Sequence, residues 1–168
     1  LPEDIQRAAK LLRWSAVYNI NLGIKRPHLT DKHWIYFPEK KFRFYRVGFP
    51  MNFSDHMTPP GCSSMYIEIA YHPGQPPDDK QAMKDALRGL YACGLLDRKD
   101  PIIAEKILHI PIAYVTFDKN RTAITQKLLS YLESRQVYSI GRFGAWKYSY
   151  MEEAILEGKA IAEKIDGQ

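Results

Sequence analysis

The chain has 168 residues, of which 45% are hydrophobic, 12% aromatic and 26% charged. This composition is typical of a compact globular domain and excludes a disordered tail or a fibrous protein. By surface-to-volume scaling, a chain of this length buries about two-thirds of its unfolded surface, so the fold requires neither a disulfide framework nor a structural metal.

Charge and cysteine usage bear on location and partners. The 24 basic and 19 acidic residues give a net charge of +5, and the basic residues are spread along the chain. This balance fits a solvated basic surface or a site for a phosphate-bearing ligand, and we expect no nucleic-acid partner. Cys62 and Cys93 lack CxxC spacing, which favours a cytoplasmic location. No apolar run reaches the roughly 18 residues that cross a bilayer, so no membrane span is expected.

Several motifs of complete enzymes are absent from the sequence. It contains no GxGxxG, no Walker GxxxxGK, no HExxH and no GxSxG. It also begins at Leu1, without a methionine, two residues before a predicted helix. We therefore expect a piece of a larger protein and not a complete nucleotide-binding enzyme.

Hydrophobic periodicity predicts strands and helices in alternation. Apolar residues at helical spacing predict helices over residues 3–13, 80–93, 121–135 and 150–165. Runs rich in aromatic and β-branched residues predict strands over 14–23, 33–38, 42–50, 63–72, 106–118 and 137–141. Because several strands precede the long helices and a hairpin implies antiparallel pairing, the predicted class is α+β, a mainly antiparallel sheet with flanking helices that ends in a strand, a turn and a helix.

The aromatic runs on either side of the charged segment EKK predict a β-hairpin. With the turn centred on Lys40, Tyr36 would lie opposite Phe44 and Arg46 opposite Trp34. Arg46 would then sit among aromatic rings that orient its guanidinium for a phosphate or carboxylate. The alternative is an edge-strand arginine stacked on Trp34 without a ligand.

Two further positions bear on the sheet. Pro111 predicts that the strand over 106–118 lies at an edge or contains a bulge. Glu68 alternates with apolar neighbours, and we expect it to face solvent or a partner surface.

The segment IGRFGAWKYSYME is the most informative part of the sequence. A predicted strand ends there, Gly141 and Gly144 allow close backbone approach, and a helix begins near Tyr150. The helix N-terminus would offer N–H groups to an anion or an electron-rich ring edge, and Arg142 adds positive charge. The alternative is an ordinary glycine turn with its aromatic residues in the core.

These segments resemble a known family. GRFGAWKY followed by SYMEEAILEGKAIAEKI is similar to the C-terminal flavin-contacting segment of the FAD-dependent amine oxidase and protoporphyrinogen oxidase superfamily. YFPEKKFRFYR followed by FPMNFS and PPGCSS resembles a substrate-domain segment of the branch nearest UDP-galactopyranose mutase. The blocks match in order and spacing over nearly the whole chain.

The resemblance implies a flavoprotein whose FAD carries the chemistry, so no catalytic side chain is assigned. Four residues would lie against the FAD: Gly141, Arg142, Met151 and Glu152. Residues 1–118 would form the substrate-domain sheet with its helices, and residues 119–168 would complete the FAD site, whose N-terminal Rossmann domain this chain lacks. The chain alone is expected to be inactive, to bind FAD weakly and to self-associate through exposed apolar surface.

The resemblance also implies a small-molecule substrate, specifically a nucleoside diphosphate sugar. Four residues would face one cleft and hold its diphosphate: Tyr36, Arg46, Arg142 and Tyr148. Guanidinium groups would neutralise the anion, and phenol hydroxyls would donate to its oxygens. The sequence Tyr150-Met151-Glu152 stands where some mutases carry an Asn-Gln or Met-Asp pair, which leaves the sugar nucleotide open.

A second class of function stays open. The fold could serve as a non-catalytic binding or scaffold protein, and an intact upstream GxGxxG would argue against that alternative. The histidines show no ligand spacing, so no metal site is predicted.

Overall fold

The structure is a computed structural model that describes residues 1–167, with the backbone alone for Asp55. Its strands are β1 (Trp14–Ile24), β2 (Trp34–Tyr36), β3 (Arg46–Gly48), β4 (Ser63–Tyr71) and β5 (Ile102–Val115). Its α-helices are α1 (Glu3–Lys10), α2 (Asp79–Ala92), α3 (Arg121–Glu133), α4 (Gly141–Gly144) and α5 (Met151–Asp166). Short 3-10 turns cover Pro50–Asn52 and Asp55–Met57. The predicted α+β class is confirmed.

The chain divides into two compact units, which are described separately. One unit is Ala16–Ala113, and the other combines Leu1–Ser15 with the chain from Tyr114 onward. The functional division at residue 118 stays a prediction. Within residues 1–167, none of the helices is both long and apolar enough to span a bilayer.

The five strands form one sheet in the order β2-β3-β4-β1-β5. In the antiparallel pair of β1 and β4, Ala16 lies opposite Tyr71 and Ile24 opposite Ser63. β3 pairs antiparallel with both β4 and β2. β5 lies at the edge beside β1, which confirms the edge position predicted from Pro111.

One face of the sheet forms the main core. Alternate residues of β1 and of β4 belong to this core: Tyr18, Ile20, Leu22, Ile24, Met65, Ile67 and Ile69. Helix α2 contributes Ala82, Ala86 and Leu90 to the same cluster. Each fully buried Leu, Ile or Met side chain stabilises the fold by roughly 1.5–3 kcal/mol. The opposite face therefore carries the intervening residues of the same strands, and many of these are polar.

Helix α2 begins at a side-chain N-cap and is followed by a glycine. The Asp78 carboxylate accepts a hydrogen bond from the Gln81 N–H at 2.8 Å, which is an N-cap. At the other end, Gly94 has a φ of 74°, a left-handed conformation that favours glycine.

The predicted hairpin forms between β2 and β3, but its predicted register is wrong. Tyr36 lies opposite Arg46, and Trp34 lies opposite Gly48. The connection is longer than predicted because three of its phenylalanines pack against one another: Phe37, Phe42 and Phe44. Phe44 is buried in the core and cannot pair with Tyr36. Because the partner shifts by two residues, Arg46 keeps its predicted face of the sheet.

The predicted strand over residues 137–141 is also wrong. Residues 137–140 have no regular structure, and Gly141 begins α4. At the end of α3, Gln136 adopts a left-handed φ of 59°, and the Val137 N–H donates to the Leu132 carbonyl at 3.0 Å. The Val137 N–H, which would be the first donor of a paired strand, thus bonds to the C-terminus of α3 instead.

Candidate functional site

The polar face of the sheet carries a row of side chains that crosses four strands. Tyr36, Arg46, Glu68 and Asn19 occupy successive opposed positions on β2, β3, β4 and β1. Opposed residues on one face have Cβ atoms about 4.5–5.5 Å apart, close enough for their side chains to interact. We call these four residues the Arg46 row.

The guanidinium of Arg46 is held by polar and aromatic contacts. Its Nη2 donates to Glu68 Oε1 at 2.7 Å, and its Nη1 donates to the Tyr36 hydroxyl at 3.3 Å. Its Cζ lies 5.8 Å from the ring centroid of Tyr36, 5.9 Å from that of Tyr45 and 6.0 Å from that of Tyr66. The Arg46 side chain is only 21% exposed. These contacts fix the orientation of the planar donor group.

Glu68 is buried, so the expectation that it faces solvent is wrong. Its Oε1 accepts from Arg46, and its other carboxylate oxygen accepts from the Tyr45 hydroxyl. A carboxylate that leaves water needs such partners, because burial of an unpaired charge is costly. The alternation of side chains along β4 was the sequence signal for this contact. Once the register of the hairpin is known, that alternation places Glu68 on the same face of the sheet as Arg46.

A second row on the same face was missed by sequence reasoning. It consists of Gly48, Tyr66 and Asn21 on β3, β4 and β1. A Cβ atom at Gly48 would lie 2.1–2.3 Å from ring atoms of Tyr66, so the ring lies directly over the glycine. Asn21 Nδ2 donates to Asn19 Oδ1 at 2.6 Å, which links the two rows.

The other unit contains an aromatic cluster around Arg142 of α4. The Arg142 Cζ lies 4.9 Å from the Tyr114 ring centroid, 5.8 Å from that of Tyr148 and 5.9 Å from that of Phe143. The Tyr148 ring stacks on Phe117 with centroids 5.1 Å apart and an interplanar angle of 7°. The structure thus brings Arg142 and Tyr148 together, while Tyr114 and Phe117 were missed by sequence reasoning.

Hydrogen bonds and ion pairs link α4 and the segment that follows it to α5. Lys147 Nζ donates to Glu153 Oε1 at 2.5 Å and also pairs with Glu157. The Gly141 N–H donates to Glu157 Oε2 at 2.7 Å. Hydrogen bonds from Lys147 are the main cause that lowers the pKa of both glutamates, and the glutamates in turn raise the pKa of Lys147.

The backbone around α5 fits the predicted cofactor contacts. α5 begins at Met151 without a side-chain cap, and Met151 is 85% exposed. The first-turn N–H groups, which have no partner within a helix, are of the donor type that suits an electron-rich ring edge. Gly141 has a φ of 79°, a conformation that a residue with a Cβ rarely adopts.

The structure contains no cluster of metal-ligand type within its described residues. No group of three His, Cys, Asp or Glu side chains is arranged to hold a metal ion there. Cys62 and Cys93 are unbridged and half-buried.

Solved structures provide the family relationship. Over 84% of its residues, the chain matches a crystal structure of reduced UDP-galactopyranose mutase with a TM-score of 0.78 and 32% sequence identity. The predicted resemblance to the superfamily is confirmed. No protein-family model matches the chain.

A second solved structure has a similar fold. A putative protoporphyrinogen oxidase from Exiguobacterium sp. 255-15 matches 93% of the chain with a TM-score of 0.70, at 11% identity. The chain covers 31% of the mutase structure and 35% of the oxidase structure, so it spans about a third of each.

Proposed function

We propose that this chain is the substrate-binding and flavin-completing part of a longer FAD-dependent enzyme, an oxidoreductase or a flavin-dependent mutase. The observation that carries the proposal is the Arg46 row, an oriented guanidinium with a phenol beside it on the polar face of a sheet. The 32% identity with a UDP-galactopyranose mutase supports the assignment to flavin enzymes.

For the substrate we propose a nucleoside diphosphate sugar. Tyr36 and Arg46 offer a hydroxyl and a planar cation to phosphate oxygens, and Glu68 keeps that cation in one orientation. A guanidinium that is already oriented loses less conformational freedom when it binds an anion. Binding of a phosphate is therefore favoured over binding of a neutral amine.

Arg142 and Tyr148 offer the same chemistry in the other unit. Three aromatic rings surround the Arg142 guanidinium, and Tyr148 is 54% exposed. We assign phosphate binding to this pair as well.

For the cofactor we propose contacts from Gly141, Arg142, Met151 and Glu152. When bound, FAD would supply the redox or nucleophilic chemistry that no side chain of this cluster provides. The N–H groups at Met151 and Glu152 would donate to the ring edge of the flavin, and Gly141 would allow its backbone to approach.

The role of the chain's own residues in catalysis would be electrostatic. When the bond between a sugar carbon and a diphosphate oxygen breaks, negative charge develops on the departing diphosphate. Arg46 would stabilise this charge, and the hydroxyl of Tyr36 would donate to it. Glu68 would act as a positioning residue for Arg46.

The experiment that tests the cofactor proposal is purification of the longer protein that contains this chain. We expect a yellow protein with a flavin absorption spectrum that changes when a nucleoside diphosphate sugar is added. A colourless protein that gains no flavin spectrum after reconstitution with FAD would contradict the proposal and leave the non-catalytic binding or scaffold function.

A further inference from the structure

A groove runs along α2 within the unit Ala16–Ala113. Its volume is about 680 Å³, within the range of roughly 300–1,000 Å³ that is common for small-molecule sites. Four half-buried side chains form its apolar floor: Met83, Leu87, Tyr91 and Ile107. The groove lies on the α2 side of the sheet, whereas the Arg46 row lies on the opposite face.

The sequence of α2 explains why the floor is apolar and continuous. Met83, Leu87 and Tyr91 are spaced four residues apart, so they follow one another along one side of the helix. Ile107 of β5 completes the floor beside this stripe. Because β5 is the edge strand of the sheet, no further strand of the described residues adjoins this side of the floor.

Cations line the rim of the groove. Lys80, Lys84 and Arg88 repeat every four residues beside the apolar stripe, and Arg98 lies 5.1 Å from the Tyr91 ring centroid. Among residues 1–167, Lys80 and Lys84 form no ion pair, whereas Arg88 pairs with Asp85 at 2.7 Å. The two lysines are therefore available to an external anion.

The acidic residues of the groove are fewer, and one is already engaged. Asp79 Oδ1 accepts from the Tyr18 hydroxyl at 2.9 Å and lies 3.1 Å from His109 Nε2. Glu105 is exposed on β5. The lining thus holds four cations against two carboxylates, and this excess complements an anionic head group.

We propose that the groove binds a long-chain fatty acid. The alkyl chain lies on the floor between Met83 and Ile107, and the carboxylate pairs with Lys80 and Lys84. An acid is favoured over a neutral alcohol because its carboxylate can pair with Lys80 and Lys84, whose charges no acidic side chain of the described residues neutralises. Each methylene group that leaves water strengthens binding by roughly fourfold, so affinity rises with chain length until the floor is filled.

The test is a fluorescence titration of the 168-residue chain with 11-(dansylamino)undecanoic acid, below its micelle concentration. We expect saturable binding that dodecanoic acid displaces, octanoic acid displaces more weakly, and dodecanol displaces less well than dodecanoic acid. Equal displacement by dodecanol, or the absence of saturable binding, would overturn the proposal. Binding to phosphatidylglycerol vesicles without binding of the monomeric acid would overturn it too.

Variants test the two parts of the groove separately. Lys80→Glu combined with Lys84→Glu should weaken binding by at least about fivefold, because two attractive charges become repulsive. The matched control is Lys106→Glu, whose side chain alternates to the opposite face of β5 and should leave affinity unchanged. Met83→Glu should abolish binding of the fatty acid, because it places a charge on the floor that its alkyl chain contacts.

If Met83→Glu does not fold, the lysine double variant still tests the proposal. Equal affinity of that variant and of the Lys106→Glu control would contradict the proposal.

Discussion

At the scale of single residues, Glu68 is the residue that determines how Arg46 is presented. One oxygen of its carboxylate accepts a hydrogen bond from Arg46, and the other accepts one from the Tyr45 hydroxyl. Glu68 as a residue is 8% exposed. Glu68→Gln should destabilise the fold by about 1.5–3 kcal/mol, the scale of a hydrogen bond to a charged group. Urea unfolding measures the change, with Glu39→Gln in the exposed hairpin loop as control. Equal effects of the two variants would contradict this role.

Gly48 makes a second residue-scale prediction. Because an added Cβ would overlap the Tyr66 ring, Gly48→Ala should destabilise the fold by about 1–3 kcal/mol through overpacking. Tyr66→Ala removes the ring, so the alanine at position 48 should cost much less in that background. A double-mutant cycle in urea measures the coupling. Additive effects of the two substitutions would show that the ring does not lie over Gly48.

The residues of the polar face show what the sequence could predict about the site. The sequence predicted that Arg46 lies among aromatic rings, and the structure places its Cζ 5.8–6.0 Å from three tyrosine ring centroids. Phosphate binding by Tyr36 and Arg46 stays a prediction. Their direct pairing was not readable, since it depends on the packing of Phe44 in a core that no local pattern reveals. The role of Glu68 depended on that same register and was missed with it.

At the scale of elements, the contact between α4 and α5 depends on pH. The pKa of Glu157 lies below its ordinary value of 4.5, chiefly because Lys147 donates to it. Its contribution to stability is therefore complete above pH 4.5 and is lost as pH falls through the lowered pKa. The pKa of Lys147 is raised, so the pH dependence is reversed. The contribution of Lys147 to stability is lost as pH rises through that pKa.

The amide proton of Gly141 reports this equilibrium, because it donates to Glu157 Oε2. We expect its NMR chemical shift to titrate with a midpoint below 4.5. Lys147→Met should move the midpoint upward, toward 4.5. Lys159→Met, on α5 but paired with Glu163, serves as the control and should leave the midpoint in place. An unshifted midpoint in Lys147→Met would contradict the assigned contact.

The elements themselves were predictable wherever periodicity was strong. The helix around Leu90 and the strand around Ile67 lie where their apolar patterns indicated, since both bury one continuous face. The strand predicted over 137–141 does not form, and the reason cannot be read from strand propensity. Its first donor caps α3, and Gly141 turns the chain directly into α4.

At the scale of the whole molecule, the chain has exposed apolar surface on α5. Met151 is 85% exposed, Ile155 72% and Leu156 58%. The chain also spans about a third of the mutase and oxidase structures that it matches. We therefore expect the 168-residue chain to bind FAD more weakly than micromolar, because it offers only a few donors around Arg142 and α5. Calorimetric titration with FAD measures this affinity, and micromolar or tighter binding would contradict the prediction.

The proposed substrate is tested most directly by calorimetric titration of a nucleoside diphosphate sugar into the longer protein, with and without Arg46→Ala. We predict that Arg46→Ala weakens binding by about 1.5–3 kcal/mol, the scale of a charge-assisted hydrogen bond, and leaves flavin content unchanged. Arg43→Ala, which removes an exposed arginine from the same hairpin, should bind like the unchanged protein. Equal affinity of the Arg46→Ala and Arg43→Ala variants would contradict the assignment of Arg46 to the diphosphate.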